Sequence, residues 1–127
     1  MDNSKKTILV VDDFVSVRKF VCETLERKGY NTLGVGNVKE AFHVLKENTR
    51  TIDLVLTDYN MPDRTGFDLL VMIKSDVEVS HIPVIFLTTE LSDQKMKVSK
   101  EAGLSAWIKK PYRSETFFSA IENTLMK

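Results

Sequence analysis

Short apolar runs alternate with amphipathic stretches along the whole chain. The apolar runs are TILVV at residues 7–11, NTLGV at 31–35, DLVLT at 53–57, IPVIFL at 82–87 and LSAWI at 104–108, of which 31–35 is the weakest. Runs that are apolar on both faces are typical of parallel strands covered by helices on each side. The pattern therefore predicts five β-strands.

Between these runs, apolar residues recur at intervals of three and four, the period of an amphipathic helix. The first predicted helix carries Phe14, Val17, Val21 and Leu25, and the second carries Val38, Ala41, Phe42 and Leu45. The third carries Phe67, Leu70 and Ile73, and the last carries Phe117, Phe118, Ile121 and Leu125. A fourth stretch, 91–102, has only Leu91, Met96, Val98 and Ala102 as inward candidates. A helix so thinly anchored is expected to shift easily.

Glycine and hydroxyl residues mark the ends of the predicted helices. Gly29 and Gly103 each follow a helical stretch and precede a strand, where a left-handed backbone is needed. Thr65 is the predicted N-cap of the third helix and Ser114 that of the last.

Five strands alternating with five helices predict an α/β fold. Its doubly wound, mostly parallel sheet carries helices on both faces, joined by right-handed crossovers. No Ser-, Gly- or Pro-rich linker divides the chain, so residues 1–127 are expected to form one domain. In such sheets ligands bind outside the carboxyl ends of the strands.

Charged and hydroxyl residues follow four of the predicted strands. They are Asp12 and Asp13, Asp58, Thr88 and Thr89, and Lys109 and Lys110 before Pro111. A single Asp after a strand is often a helix cap, which suits Asp13 alone. Two carboxylates about 4 Å apart, however, repel by roughly 4 kcal/mol at an effective dielectric near 20, so a cluster of three favours a bound cation. Oxygen ligands without His or Cys favour a hard ion such as Mg²⁺.

A magnesium site of this kind indicates phosphate chemistry. Phosphoryl transfer needs a metal, a cationic side chain, a hydroxyl donor and an aligned nucleophile. Asp58 is the candidate nucleophile, and Asp12 and Asp13 are the candidate metal ligands. Lys110 is the candidate partner of the phosphate oxygens, and Thr88 the hydroxyl donor.

Composition and missing motifs disfavour several other classes of function. The 18 basic and 18 acidic residues cancel, which gives no indication of nucleic acid or membrane as a partner. Cys22 is the single cysteine, and no signal peptide or spanning run is present, so a soluble protein of the reducing cytoplasm is expected. No glycine-rich phosphate loop follows the first strand, which disfavours nucleotide-binding folds. His43 and His81 are expected to be surface or structural residues.

Four motifs now support a resemblance. In chain order, ILVVDD, LTDYNMP, FLTT and KKP resemble the signatures of a response-regulator receiver domain, and the resemblance covers essentially the whole chain. It implies a CheY-like, flavodoxin-like sheet with strand order 2-1-3-4-5. One departure is Thr65 before Gly66, where the family often has an acid.

The resemblance also implies roles for individual residues. Asp58 accepts a phosphoryl group from a sensor histidine kinase, a phosphotransfer protein or a small phosphodonor. Mg²⁺ (or Mn²⁺) binds the side chains of Asp13 and Asp58, with Asp12 acting through a bound water. Asn60 is implied to bind the metal through its backbone carbonyl, Lys110 to bind the phosphate, and the bond before Pro111 to be cis. Thr88 and Trp107 are implied to form the switch pair, and Asn60 and Glu90 to tune the phosphoryl lifetime. Ordinary packing is an equal alternative for Trp107.

The resemblance implies a signalling switch rather than an enzyme, because the protein would catalyse only its own phosphorylation and dephosphorylation. No residues remain for an output domain, so output is expected through protein contact at the face of the fourth helix, fifth strand and fifth helix. A role in chemotaxis or a phosphorelay, and a monomer or weak phosphorylation-dependent dimer, are expected. Two alternatives stay open: a haloacid-dehalogenase phosphatase, whose D-x-D motif is replaced here by VDDF, and a receiver-shaped module that is never phosphorylated.

Overall fold

The computed structural model describes residues 6–89 and 91–126, in which strands and helices alternate. The elements are β1 (Thr7–Val11), α1 (Val15–Arg27), β2 (Asn31–Val35), α2 (Val38–Glu47), β3 (Leu54–Thr57), α3 (Gly66–Lys74), β4 (Val84–Thr88), α4 (Asp93–Glu101), β5 (Ala106–Lys109) and α5 (Ser114–Leu125). Each strand begins within two residues of its predicted start.

The five strands form one sheet in the order β2-β1-β3-β4-β5, and every neighbouring pair is parallel. This confirms the predicted fold class and the strand order that the resemblance implied. The register aligns the carboxyl ends, since Val11 pairs with Thr57 and Thr88 pairs with Lys109. The residues that follow these strands therefore leave the sheet at one edge.

The core has two layers, one on each side of the sheet, and successive strand residues alternate between them. On β4, Val84 and Phe86 belong to the layer under α2 and α3, whereas Ile85 and Leu87 belong to the layer under α1 and α5. Full burial of each large apolar side chain stabilises the fold by about 1.5–3 kcal/mol. Burial on both faces explains why the strands are continuous apolar runs in the sequence.

Two apolar residues do not have the inward positions predicted for them. Phe14 precedes α1 and is 65% exposed, so it lies outside the buried stripe of that helix. On α4, Val98 is 41% exposed and Ser99 is fully buried. The inward face of α4 follows Met96, Ser99 and Ala102 at three-residue spacing, which turns Val98 outward.

The predicted helix ends are confirmed with one exception. Gly29 and Gly103 have φ angles of 97° and 106°. Thr65 caps α3, because its side chain accepts a hydrogen bond from the Asp68 backbone N–H and the Asp68 carboxylate accepts one from the Thr65 N–H. Ser114 is not the N-cap of α5: the helix begins at Ser114 itself, which places its side chain in the first turn.

Gly66 allows α3 to begin against the end of β3. Its backbone N–H donates to the Tyr59 carbonyl at 2.6 Å. A Cβ atom at this position would lie only 2.6 Å from the Asp58 carbonyl oxygen and 3.1 Å from the Tyr59 Cα. Glycine is therefore required by close approach of two backbone segments.

We expect Gly66→Ala to lower the free energy of unfolding by about 1–3 kcal/mol, because backbone rather than a flexible side chain must shift. Gly34→Ala is the matched control, since its added Cβ would meet mainly the flexible side chain of Arg18 at 3.3 Å. Urea unfolding of both variants provides the comparison. Equal midpoints for the two would contradict a rigid contact at Gly66.

Candidate functional site

Three carboxylates meet at the carboxyl edge of the sheet. Asp12 and Asp13 follow β1, and Asp58 follows β3. One oxygen from each lies within 4.8 Å of the others, so the structure brings together the three acids singled out in the sequence. Asp12 is buried, Asp58 is half-buried and Asp13 is exposed. This cluster can hold a metal ion, and its all-oxygen donor set suits Mg²⁺ better than a softer metal.

Lys110 supplies positive charge to the same place. Its Nζ lies 3.5 Å from Asp58 Oδ2 and 3.7 Å from Asp12 Oδ2. The side chains of Lys110, Asp58 and Asp12 are 26%, 14% and 5% exposed, so their interaction is shielded from solvent better than a surface pair is. The Lys110 backbone N–H donates to the Thr88 carbonyl at 2.8 Å, which fixes the end of β5 beside β4.

A cavity of about 350 Å³ opens over these groups. Thr88, buried at the end of β4, contributes to its wall. The other lining residues are Asp13, Phe14, Asp58, Asn60, Met61, Thr89 and Lys110. Two of the three acids, Asp13 and Asp58, therefore share one open recess with Thr88 and Lys110, while Asp12 is buried beside it.

Burial raises the pKa of the Asp12 carboxyl above its ordinary value of 3.8. The backbone N–H of Phe14, which donates to Asp12 Oδ1 at 2.9 Å, and the charge of Lys110 act in the opposite direction. Asp58 and Asp13 add to the rise by repulsion. The net direction is upward, so the protein by itself does not fully compensate the buried anion.

Tyr59 also contributes to the site, although its position in the sequence did not predict this. Its backbone N–H donates to Asp58 Oδ1 at 2.7 Å, while Asp58 Oδ2 is the oxygen near Lys110. The Tyr59 ring packs edge-on against Phe86, with centroids 5.6 Å apart, and Lys95 Nζ lies 5.3 Å from the Tyr59 centroid. An aromatic residue directly after the acid in DYNMP was the available signal.

Asp63 was also missed, and it joins the loop after β3 to the start of α2. Its two carboxylate oxygens accept hydrogen bonds from the backbone N–H groups of Val38 and Lys39, each at 3.1 Å. Although burial raises the pKa of the Asp63 carboxyl, these backbone donors and those of Asp63 and Arg64 outweigh it and lower the pKa. A carboxylate at a helix N-terminus is also favoured by the helix dipole.

The remaining candidate residues occupy varied positions. Trp107 is half-buried against the core layer of α2 and α3, and its indole N–H is buried without a hydrogen-bond partner in the described part of the chain. The Lys110–Pro111 bond is cis. Lys109 is exposed and Lys110 half-buried, consistent with alternation on a strand. Asn60 is exposed at the cavity, whereas Glu90 lies outside the described residues.

Replacing Asp63 by alanine is expected to lower the free energy of unfolding by about 1 kcal/mol or less at neutral pH, because the first N–H groups of α2 lose the carboxylate that accepts their hydrogen bonds. The folded-state pKa lies below 3.8, so this stabilisation is present above that value and is lost as pH falls through the lower folded pKa. Urea unfolding from neutral pH down to well below pH 3.8 measures the difference between the two proteins across the range in which the Asp63 carboxylate is protonated. A difference independent of pH would contradict the role of the ionised carboxylate, and Asp63→Asn separates charge from hydrogen bonding.

No helix among the described residues is long and apolar enough to span a bilayer.

Comparison with known proteins identifies the family. The family model for the response regulator receiver domain matches residues 8–122. Chemotaxis protein CheY-3 of Vibrio cholerae is 36% identical over 90% of this chain and 87% of its own length. Chemotaxis protein CheY1 of Helicobacter pylori is 34% identical, over 93% of this chain and 95% of its own. A match of 34% identity to Histidine kinase P4 of Formosa agariphila covers 98% of this chain but only 9% of that protein.

Solved structures agree with the sequence comparisons. A response regulator receiver domain protein from Clostridium thermocellum superposes with a TM-score of 0.88 and 29% identity, covering 95% of this chain and 94% of that one. The chemotaxis response regulator CheY4 of Vibrio cholerae gives a TM-score of 0.82 and 30% identity, with 94% and 98% covered. The chain therefore belongs to the response regulator receiver family of two-component signalling.

Proposed function

We propose that this chain acts as a stand-alone phosphorylatable receiver whose phosphoacceptor is Asp58. The observation that carries the proposal is the placement of Asp58 Oδ2 beside Lys110, within a cluster of three carboxylates under an open cavity. Family membership implies a histidine kinase or phosphotransfer protein as the donor partner. Small phosphodonors such as acetyl phosphate can supply the same group.

In the proposed reaction an Asp58 carboxylate oxygen attacks the phosphorus of the donor. A P–O bond to Asp58 forms, and the P–N bond of the donor phosphohistidine, or the P–O bond of a small donor, breaks with its electron pair leaving on the donor. The Tyr59 N–H holds Oδ1 and so leaves Oδ2 available for attack. Lys110 would then pair with the phosphoryl oxygens, and the Thr88 hydroxyl would donate to one of them.

The metal would be held by Asp12, Asp13 and Asp58 together with the backbone carbonyl of Asn60. Mg²⁺ (or Mn²⁺) bound there would withdraw negative charge from the phosphoryl oxygens during transfer. Close packing of three carboxylate oxygens supports this assignment, because such a group is stabilised by a hard cation. Asn60, exposed beside the cavity, would set the access of water and hence the phosphoryl lifetime; Glu90 is proposed for the same role from the resemblance alone.

Thr88 and Trp107 are the proposed switch. Trp107 pairs in register with Phe86, two residues before Thr88 on the neighbouring strand. Its indole N–H is buried and has no hydrogen-bond partner among residues 6–89 and 91–126. A buried donor without a partner is costly, which supports a second position of the ring with a better-satisfied N–H. Among the described residues of α4 only Ser99 is fully buried, so this helix can shift with little loss of core packing.

The output surface is proposed to be the face formed by α4, β5 and α5, acting in chemotaxis or a phosphorelay. The protein would work as a monomer or a weak phosphorylation-dependent dimer, and its only chemistry would be its own phosphorylation and dephosphorylation. Similarity to whole chemotaxis proteins over nearly all of their length supports the stand-alone role.

Incubation with acetyl phosphate and Mg²⁺, followed by intact-mass measurement, tests the phosphoacceptor. We expect the mass to rise by one phosphoryl group in the parent protein and not in Asp58→Ala. Asp63→Asn is a matched control, because it alters an acid of the same loop that caps α2 and should leave phosphorylation intact. Absence of a mass gain even with a cognate kinase, or a gain that persists in Asp58→Ala, would falsify the assignment.

The same proteins, supplied in addition with a phosphate monoester, distinguish the switch from a phosphatase and from a module that is never phosphorylated. A stoichiometric acyl phosphate supports the switch, whereas steady turnover of a phosphate monoester that is abolished by Asp58→Ala would support a phosphatase. The family match gives no support to the haloacid-dehalogenase alternative. Complete resistance to every donor would favour an interaction module that is never phosphorylated.

A further inference from the structure

Arg18 reaches back from the first turn of α1 to the backbone beside the acid cluster. Its Nη1 donates a hydrogen bond to the Asp12 carbonyl oxygen at 2.8 Å. Arg18 is half-buried, and Asp12 is 4% exposed, so this bond is partly shielded from water. A charged guanidinium donor also makes a stronger bond than a neutral one. The side chain of a helix therefore holds the backbone at one of the proposed metal ligands.

Two glycines make room for the Arg18 side chain. A Cβ atom added to Gly34, in β2, would lie 3.3 Å from both Arg18 Cγ and Arg18 Cδ. A Cβ atom added to Gly36, just after β2, would lie 3.1 Å from Arg18 Nη1. Neither glycine has a positive φ angle, so close approach rather than backbone conformation favours glycine at both places. The end of β2 thus guides the guanidinium to the Asp12 carbonyl.

The Asp12 carbonyl belongs to the peptide unit that joins Asp12 to Asp13. Because a peptide unit is planar, the direction of this carbonyl sets the direction in which the chain leaves Asp12 toward the Asp13 Cα. The groups of Asp12 before this unit are held separately: its N–H donates to the Val35 carbonyl at 3.1 Å, and its Oδ1 accepts from the Phe14 N–H at 2.9 Å. The bond from Arg18 acts on the peptide unit itself.

We propose that Arg18 is a positioning residue, which orients the Asp13 carboxylate for Mg²⁺ through the Asp12–Asp13 peptide. This inference rests on the proposed metal site at Asp12, Asp13 and Asp58. Arg18 would contact neither the metal nor the phosphoryl group. Residues that hold metal ligands from outside in this way raise the affinity for the metal, because the ligands need not be ordered when the ion binds.

Charge and position predict opposite effects of removing Arg18. Loss of a positive charge near a cation site would by itself strengthen Mg²⁺ binding, since repulsion falls. Loss of positioning weakens it. Arg18→Met retains an unbranched apolar stem beside Gly34 but removes both the donor and the charge. We expect the Kd for Mg²⁺, measured by isothermal titration calorimetry on the full chain, to rise about threefold or more.

Two control variants separate positioning from charge and from stability. Lys19→Met removes the neighbouring exposed cation of α1 and should leave the Kd for Mg²⁺ unchanged or slightly lower. Ile121→Val, in the buried layer under α1 and α5, should lower the free energy of unfolding and leave the Kd unchanged. Circular dichroism confirms that each variant is folded at the temperature of the titration.

Gly36→Ala tests the same contact from the other side. Its added Cβ would crowd Arg18 Nη1 and disturb the bond to Asp12, so the Kd for Mg²⁺ should rise by about twofold. In the Arg18→Met background the same substitution should change the Kd much less, because the crowded group is already gone.

A Kd for Mg²⁺ in Arg18→Met that equals or falls below that of the parent would overturn the proposal. So would an equal rise of the Kd in Ile121→Val. The parent protein distinguishes this failure from that of the proposed function: if the parent itself binds no Mg²⁺, the metal site and the role of Arg18 are both overturned.

Discussion

Mutual repulsion of Asp12, Asp13 and Asp58 is the constraint on which the functional edge of this protein depends. The parallel register of β1 and β3 forces these acids together, because Val11 and Thr57 are paired and the acids follow them. Lys110 offsets part of the charge, yet the pKa of Asp12 remains raised by burial. A site that holds uncompensated anions without unfolding needs rigid support, and it gains stability from any cation that enters.

That support comes from backbone contacts around the loop after β3. Gly66 brings the start of α3 within hydrogen-bond distance of the Tyr59 carbonyl, and the Tyr59 N–H holds one Asp58 oxygen. Further along the same loop, Asp63 binds the first N–H groups of α2. The acid cluster is thus fixed to two helices, whereas α4 has a single fully buried residue, Ser99.

The strands and helices were predicted well because they follow from the spacing of apolar residues along the chain. The meeting of the three acids was predicted because the carboxyl ends of parallel strands lie at one edge of the sheet. The strand order required the family resemblance, since pairing between distant strands leaves no local signal. Ser99 inside α4 and Ser114 inside α5 were missed, because helix phase and first residue depend on packing against the sheet. Asp63 was missed for a related reason: its partners lie on another helix, far away in the chain.

Thermal unfolding with and without Mg²⁺, at matched ionic strength, tests the central constraint most directly. If repulsion among the carboxylates is relieved by a cation, Mg²⁺ should raise the Tm of the parent protein, with a gain of about 2.7 kcal/mol at a hundredfold excess over Kd. Asp13→Asn, which removes an exposed member of the cluster, should unfold at higher temperature than the parent without Mg²⁺ and lose most of the Mg²⁺ effect. The account would be contradicted if Mg²⁺ left the Tm of the parent protein unchanged, or if Mg²⁺ raised the Tm of Asp13→Asn by the same amount.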